Sequence, residues 1–197
     1  MTGARRFSQA IAEGDGISVI ARVSDAAAAR RAEEEGAEGL AVAAVDAAIR
    51  EATTLPILLD ANADPGPAQS AGADAALLVV ERIGEDGDRL EAVQRHVADL
   101  GLETVVVVRD DEELELALER LDPEIFLLDA PEAEGREEAL DHVLELLPDV
   151  PAGKLAIAAL HAATRDDVVA LERAGIDAVL VGSGNVAELV GGVPPEV

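Results

Sequence analysis

Eight short apolar runs punctuate the chain: Ile17–Val23, Gly39–Ala44, Pro56–Leu59, Ala75–Val80, Thr104–Val108, Ile125–Leu128, Leu155–Leu160 and Ala178–Val181. Each is rich in Val, Ile, Leu or Ala, and none alternates cleanly between apolar and polar residues. Strands buried on both faces read this way, as in a parallel sheet covered by helices. Between the runs the period changes. Leu90, Val93, Val97 and Leu100 form one stripe, Leu114, Ala117, Leu118 and Leu121 a second, and Leu140, Val143, Leu144 and Leu147 a third. These spacings predict amphipathic helices with acids on their outer faces. Thr164-Arg165-Asp166-Asp167 predicts a helix N-cap with an acid at its third position. Asp60–Pro67 reads as a loop, and the helices after strands two, three and eight look clipped to about two turns.

One phrase recurs where helix gives way to strand: glycine, an apolar residue, an acid, then the strand. It stands as Gly36-Ala37-Glu38, Gly72-Ala73-Asp74, Gly101-Leu102-Glu103 and Gly175-Ile176-Asp177. Glycine can take the left-handed conformation that ends a helix. Four copies point to a repeated βα unit. An open doubly wound sheet usually has five or six strands, so eight favour closure. The expected fold is a compact α/β (βα)8 TIM barrel of eight parallel strands with shortened loops and helices. It would be a single domain over residues 1–197, with 1–16 an N-terminal extension or short helix and 17–192 the barrel.

Composition narrows the partners. Fifteen basic residues against 41 acidic ones leave a formal charge of −26. Such a surface repels nucleic acid and anionic lipid, so neither is expected as a partner. Lys154 is the only lysine. An acid-rich, lysine-poor chain fits a salt-loving source, where salt screens self-repulsion, or codon bias alone. The chain has no Cys, which excludes disulfides, thiolate metal sites and a Cys nucleophile. Its first residues carry no hydrophobic run behind their arginines and no apolar stretch approaches a membrane span, so a cytoplasmic monomer is expected. Phe7 and Phe126 are the only aromatic residues, so the core must be packed from aliphatic side chains.

Several segments in order resemble the indole-3-glycerol phosphate synthase family. Phe7-Ser8-Gln9-Ala10-Ile11 followed by Ile17-Ser18-Val19-Ile20-Ala21 looks like the approach to its first strand. Leu55-Pro56-Ile57-Leu58 and Asp64-Pro65 resemble its third strand and loop, and Gly72–Leu78 its fourth strand. Gly101-Leu102-Glu103 with Asp110–Glu115 is similar to its fifth strand and helix, and Gly175–Gly182 to its eighth strand. The resemblance runs from about Phe7 to Gly182. It implies ring closure by decarboxylation and dehydration of a phosphorylated anthranilate-sugar, with a lysine general acid, a second lysine and proton-handling glutamates.

The chain departs from that set throughout. The family's Glu-x-Lys on strand one is replaced by Arg22-Val23-Ser24, and the third-strand lysine by Leu58-Leu59-Asp60-Ala61. Its fifth-strand glutamate falls at Val107, its sixth-strand Asn pair near Leu128-Asp129, and its seventh-strand Ser-Glu-Ser-Gly at Ala158-Ala159-Leu160-His161-Ala162. Lys154 lies at the start of strand seven, whereas barrel active sites lie at the strands' C-terminal ends. The Ser-Pro-Ser loop after strand one is cut to Ser24-Asp25-Ala26-Ala27, which removes substrate contacts and a lid.

The surviving candidates are few. Gly182-Ser183-Gly184-Asn185 could hold a phosphate on backbone N–H groups at a helix start, or could serve only as a turn. His161 at the catalytic face could act as acid or base, or stand as an exposed loop histidine. Asp60 and Asp129 end strands three and six at the mouth, with Glu81 and Arg82 after strand four and Arg109 after strand five. Arg22, Arg82 or Arg109 could offset the acids toward a phosphate, and convergent carboxylates there could bind Mg²⁺. In so acidic a chain such a cluster is unavoidable, so no metal site and no cofactor are expected. His96 and His142 are expected at the surface, and Glu33-Glu34-Glu35 and Glu112-Glu113 as solvated helix faces. The leading expectation is a synthase-like barrel without synthase activity, either a bare scaffold or a binder of a small phosphorylated ligand. The alternatives are an enzyme of different chemistry using His161 and the strand-end acids, or a protein-binding module of the tryptophan pathway.

Overall fold

The computed structural model describes residues 6–13, 16–44, 47–60, 66, 72–84, 87–182, 184 and 186–190. Eight strands close into a barrel in chain order: β1 Ser18–Arg22, β2 Gly39–Val42, β3 Ile57–Leu59, β4 Ala75–Val79, β5 Glu103–Val108, β6 Ile125–Asp129, β7 Leu155–Ala159 and β8 Ala178–Gly182. Every neighbouring pair is parallel, and β8 closes on β1 with Ser18 opposite Ala178 and Arg22 opposite Gly182. The helices are α1 Arg6–Ala12, α2 Ala26–Glu34, α3 Ala47–Ala52, α4 Val80–Ile83, α5 Gly87–Asp99, α6 Asp111–Arg120, α7 Arg136–Leu146, α8 Arg165–Ala174 and α9 Val186–Leu189. All eight expected strands form, with ends shifted by a few residues. Val80, expected to end strand four, instead opens α4. Two of the three helices expected to be clipped, α3 and α9, have six and four residues. Of the expected loop at Asp60–Pro67 only Asp60 and Gly66 are described, and Gly66 is helical. No helix among the described residues is long and apolar enough to cross a membrane.

Strand alternation sorts the buried residues into two layers. Ile20, Ala41, Leu58, Ala75, Val105, Val107, Ile125, Leu127, Ile157, Ala159, Ala178 and Leu180 pack together inside the barrel. Phe7 and Ile11 from α1 join this cluster and plug its N-terminal end. The residues between them in sequence, such as Val19, Ala21, Val106 and Val179, pack outward against the helices, with Phe126 among them. The chain thus places one of its two aromatic rings in each layer, and both are fully buried. Burying such a ring removes enough apolar area to be worth about 2–3 kcal/mol. A barrel filled by side chains in this way is a packed core, with its functional surface left to the mouth.

The recurring junction has a physical basis. Gly36, Gly72, Gly101 and Gly175 all have positive φ, at 97°, 80°, 76° and 100°. Gly175 sits after α8 in the left-handed region, and its N–H donates to the Leu171 and Glu172 carbonyls. The acid two residues on stitches the barrel's N-terminal rim. Asp74 accepts from the Ile57 N–H at 2.9 Å, and Asp177 from the Ala156 N–H at 2.8 Å. Glu103 accepts from the Phe7 N–H at 2.7 Å and so fastens the α1 plug. At the α6–β6 junction Asp122 takes the same positive φ, at 42°, without glycine.

Candidate functional site

The alternation that fills the barrel also fixes what reaches its mouth. Following each interior row two residues beyond its last buried member leads from Ile20 to Arg22, Leu58 to Asp60, and Val107 to Arg109. The same step leads from Leu127 to Asp129, Ala159 to His161, and Leu180 to Gly182. Arg22, Asp60, Arg109, Asp129, His161 and Gly182 therefore share the interior-facing parity at or just beyond the C-terminal ends of β1, β3, β5, β6, β7 and β8. Register brings some of them side by side. Arg22 pairs with Gly182 across β1 and β8, and Asp129 pairs with Ala159 across β6 and β7. A Cβ on Gly182 would lie 3.7 Å from the His161 carbonyl oxygen. Ser183 and Asn185 lie outside the described residues. Gly184 is described and exposed, with open space where a Cβ would stand.

The candidates divide by their partners. Asp60 accepts from Arg82 Nη1 at 2.8 Å, which ties the end of β3 to α4. Arg109 is held more firmly. Its Nη1 donates to Glu81 on α4, while its Nη2 donates to Glu113 Oε1 on α6 at 2.6 Å. Its backbone N–H donates to Glu113 Oε2 at 2.9 Å. The bonds to Glu113, then those to Glu81, outweigh partial burial and hold the guanidinium's pKa above its ordinary value. The Arg109 carbonyl lies 2.6 Å from His142 Nε2 on α7. Beside this knot is a cavity of about 470 Å³ lined by Glu81, Arg109, Asp110, Ala130–Ala133, Glu138 and His142. In contrast, Arg22 and His161 are exposed and Asp129 is half-buried, and none has a side-chain partner among the described residues.

Three expectations need correction. His142 is half-buried, because the α7 flank faces the loop after β5 and the ring reaches the Arg109 carbonyl. Glu113 is no solvated face: its side chain is 13% exposed because Arg109 draws it in. Glu33 is half-exposed and, rather than facing solvent alone, accepts from Thr54 Oγ1 at 2.6 Å across the surface. The Arg109–Glu113 pair was legible as an i, i+4 spacing at a helix start. His142 carried no such signal. His96 is exposed as expected.

The face opposite the mouth holds the only amine-bearing side chain. Lys154 precedes β7, at the N-terminal end of the barrel. Its Nζ lies 2.9 Å from Asp122 Oδ1 and 3.6 Å from Glu124 Oε1. At the mouth, Ser24 and Asp25 lead straight into α2, and Asp25 accepts from the Ala27 and Ala28 N–H groups, each at 2.9 Å. The turn after β1 is thus a helix cap. Beyond β7, Thr164 and Asp167 form the expected capping box at the start of α8. Arg136 Nη1 on α7 reaches the Asp167 carboxylate at 2.5–2.6 Å. No group of three or more His, Asp or Glu residues among the described residues is placed to hold a metal ion.

Comparison with known proteins bears on both sequence and shape. The family model described as indole-3-glycerol phosphate synthase matches residues 64–188, from before β4 into α9. An indole-3-glycerol phosphate synthase from Alkaliphilus metalliredigens is 33% identical over 141 residues, covering 69% of this chain and 52% of that protein. One from Variovorax paradoxus is 33% identical over 114 residues, covering 58% and 42%. The chain spans about half the length of these curated relatives. In shape it is similar to the N-acetylmannosamine-6-phosphate 2-epimerase of Clostridium perfringens, with TM-score 0.70, 16% identity, and 87% and 88% of the two chains covered. It is also similar to the thiamine phosphate pyrophosphorylase of Pyrococcus furiosus, with TM-score 0.62, 16% identity, and 88% and 90% covered. At such identity these likenesses speak for the fold alone.

Proposed function

The chain belongs to the indole-3-glycerol phosphate synthase family, and from that premise we propose that it is a member without the synthase reaction whose mouth binds a small phosphorylated ligand. The observation that carries the first half is the position of Lys154. Ring closure needs a cationic acid beside the departing carboxylate and hydroxyl. The chain's only lysine is ion-paired at the opposite end of the barrel. Arginine is a poor substitute, since its guanidinium does not give up a proton near neutral pH. The family's loop after β1 is replaced by the capped start of α2, so that segment does not close over a substrate to exclude water.

Arg22 supports the second half. It is in register with Gly182, which presents backbone and no side chain, and Ala41 flanks it on β2. A small anion can approach the guanidinium from inside the mouth and accept a forked pair of hydrogen bonds. A different reaction on such a ligand is the second reading. His161 favours it, as an exposed residue whose backbone carbonyl neighbours Gly182 and whose imidazole has no partner among the described residues. Two measurements on the purified chain test the proposal. Turnover of the phosphorylated anthranilate-sugar above background would overturn the first half. Calorimetric titration with indole-glycerol phosphate should show weak, saturable binding, and no heat at millimolar ligand would remove the second half.

A further inference from the structure

Taking the phosphate-binding mouth proposed above as its starting point, we infer that the site selects a zwitterionic ligand, a phosphate monoester that also bears a protonated amine, with Arg22 holding the phosphate and Asp129 the ammonium. The argument is one of charge accounting at the mouth. Arg82 and Asp60 are joined to each other, and Arg109 is shared between Glu81 and Glu113. The interior-facing ionic side chains left without partners among the described residues are one cation and one anion, Arg22 and Asp129. They stand on β1 and β6, with β8 and β7 between them. Three strand spacings separate them along the rim, roughly 14 Å. An arginine reaching in from one side and an aspartate from the other leave a gap for a ligand of a few heavy atoms. The strand ends between them are Gly182, with no side chain, and His161, whose imidazole can donate or accept.

The chain's overall charge points the same way. A protein at −26 repels a free dianion wherever salt does not screen it. A ligand carrying its own positive charge largely escapes that repulsion and also satisfies Asp129. An anion without an amine would leave the Asp129 carboxylate facing its phosphate across the mouth. Asp129 thereby becomes the residue that distinguishes aminoalkyl from alkyl phosphates, and Arg22 the residue that both require.

The test is a calorimetric titration of the full chain with two probes, 2-aminoethyl phosphate and ethyl phosphate, at one fixed KCl concentration. The amine should tighten binding about tenfold, the worth of a charge-assisted hydrogen bond. In Asp129→Asn the two probes should bind within about twofold of each other, with ethyl phosphate no weaker than in the parent chain. Arg22→Met should weaken both probes together, and Arg22→Lys should restore part of the loss. Equal affinity for the two probes in the parent chain would overturn the zwitterion inference while leaving the phosphate site standing. An amine preference that survives Asp129→Asn would overturn the role of Asp129. Absence of saturable binding by either ester would overturn the phosphate-binding reading itself, and the inference with it. Circular dichroism on each variant separates loss of binding from loss of fold.

Discussion

The two sides of the barrel mouth are built from the same βα unit and have opposite characters. On the β3–β5 side each charged strand-end residue is engaged: Asp60 with Arg82, and Arg109 with Glu81 and Glu113, with the Arg109 carbonyl meeting His142. On the side running from β6 through β8 to β1, Asp129, His161 and Arg22 have no side-chain partners among the described residues. The first side spends its charges on joining neighbouring units. The second leaves them facing the mouth, held in place by bonds made further out, such as Arg136 to Asp167 between α7 and α8. A polar residue that stabilises nothing is a candidate for binding, and one already satisfied by its neighbours is a candidate for structure. The same parity rule brings both sets to the mouth, so position alone does not separate them; partners do.

The sharpest way to break this comparison is Arg109→Met. Glu113 is 13% exposed, and the variant would strip its carboxylate of the guanidinium that justifies its burial. Glu81 is 63% exposed, so its share is largely screened by water. The expected loss is about 2 kcal/mol in chemical denaturation, below the ~3–5 kcal/mol of a fully buried pair. A loss under about 0.5 kcal/mol would mean that the engaged side is no more structural than the open one.

Asp167→Ala examines what holds the open side from outside. Burial works to raise the Asp167 carboxyl, but hydrogen bonds from Thr164 and then Arg136 outweigh it, and its pKa lies below the ordinary 3.8. A carboxylate so depressed in the folded state contributes stability above pH 3.8 and loses it as pH falls through the folded value. The variant should therefore lose about 1–2 kcal/mol at neutral pH, the usual worth of a cap. The gap to the parent chain should close as the pH drops below 3.8. A gap that stays constant down to the acid transition would assign the loss to packing rather than to the charged cap.

What the sequence made legible follows the range of each interaction. The eight strands, the junction glycines and the Thr164–Asp167 capping box depend on residues a few positions apart, where period and spacing carry the signal. The barrel's closure came from counting units. The sequence pointed to residues at and just beyond the strand ends, but their division into engaged and open was hidden, because Asp60–Arg82 and Arg109–Glu81 are separated by 22 and 28 residues. The role of the repeated acid was hidden for the same reason. Asp74 and Asp177 serve the N–H groups of the preceding strand, 17 and 21 residues back. His142 illustrates the limit of a helical stripe: a ring off the apolar face still becomes half-buried when a neighbouring loop stands beside that flank.

The smallest expected effect is the one on which the comparison turns. Arg22→Met removes an exposed guanidinium at a strand end, with Gly182 and Ala41 as its register neighbours and no carboxylate bonded to it among the described residues. No charge is left buried, no cap is lost and no cavity forms, so stability should change by less than about 0.5 kcal/mol. Removing a positive charge from a chain at −26 adds slightly to self-repulsion. Any small loss should therefore shrink as KCl rises and the screening length falls. Measured beside Arg109→Met in one denaturant series, the pair separates the two uses of arginine at the mouth. If Arg22→Met cost as much as Arg109→Met, and the cost persisted in molar KCl, Arg22 would be a structural residue whose partner lies outside the described residues. The open side would then be engaged at β1 as well, and the mouth would have no free cation among its described residues with which to hold a phosphate.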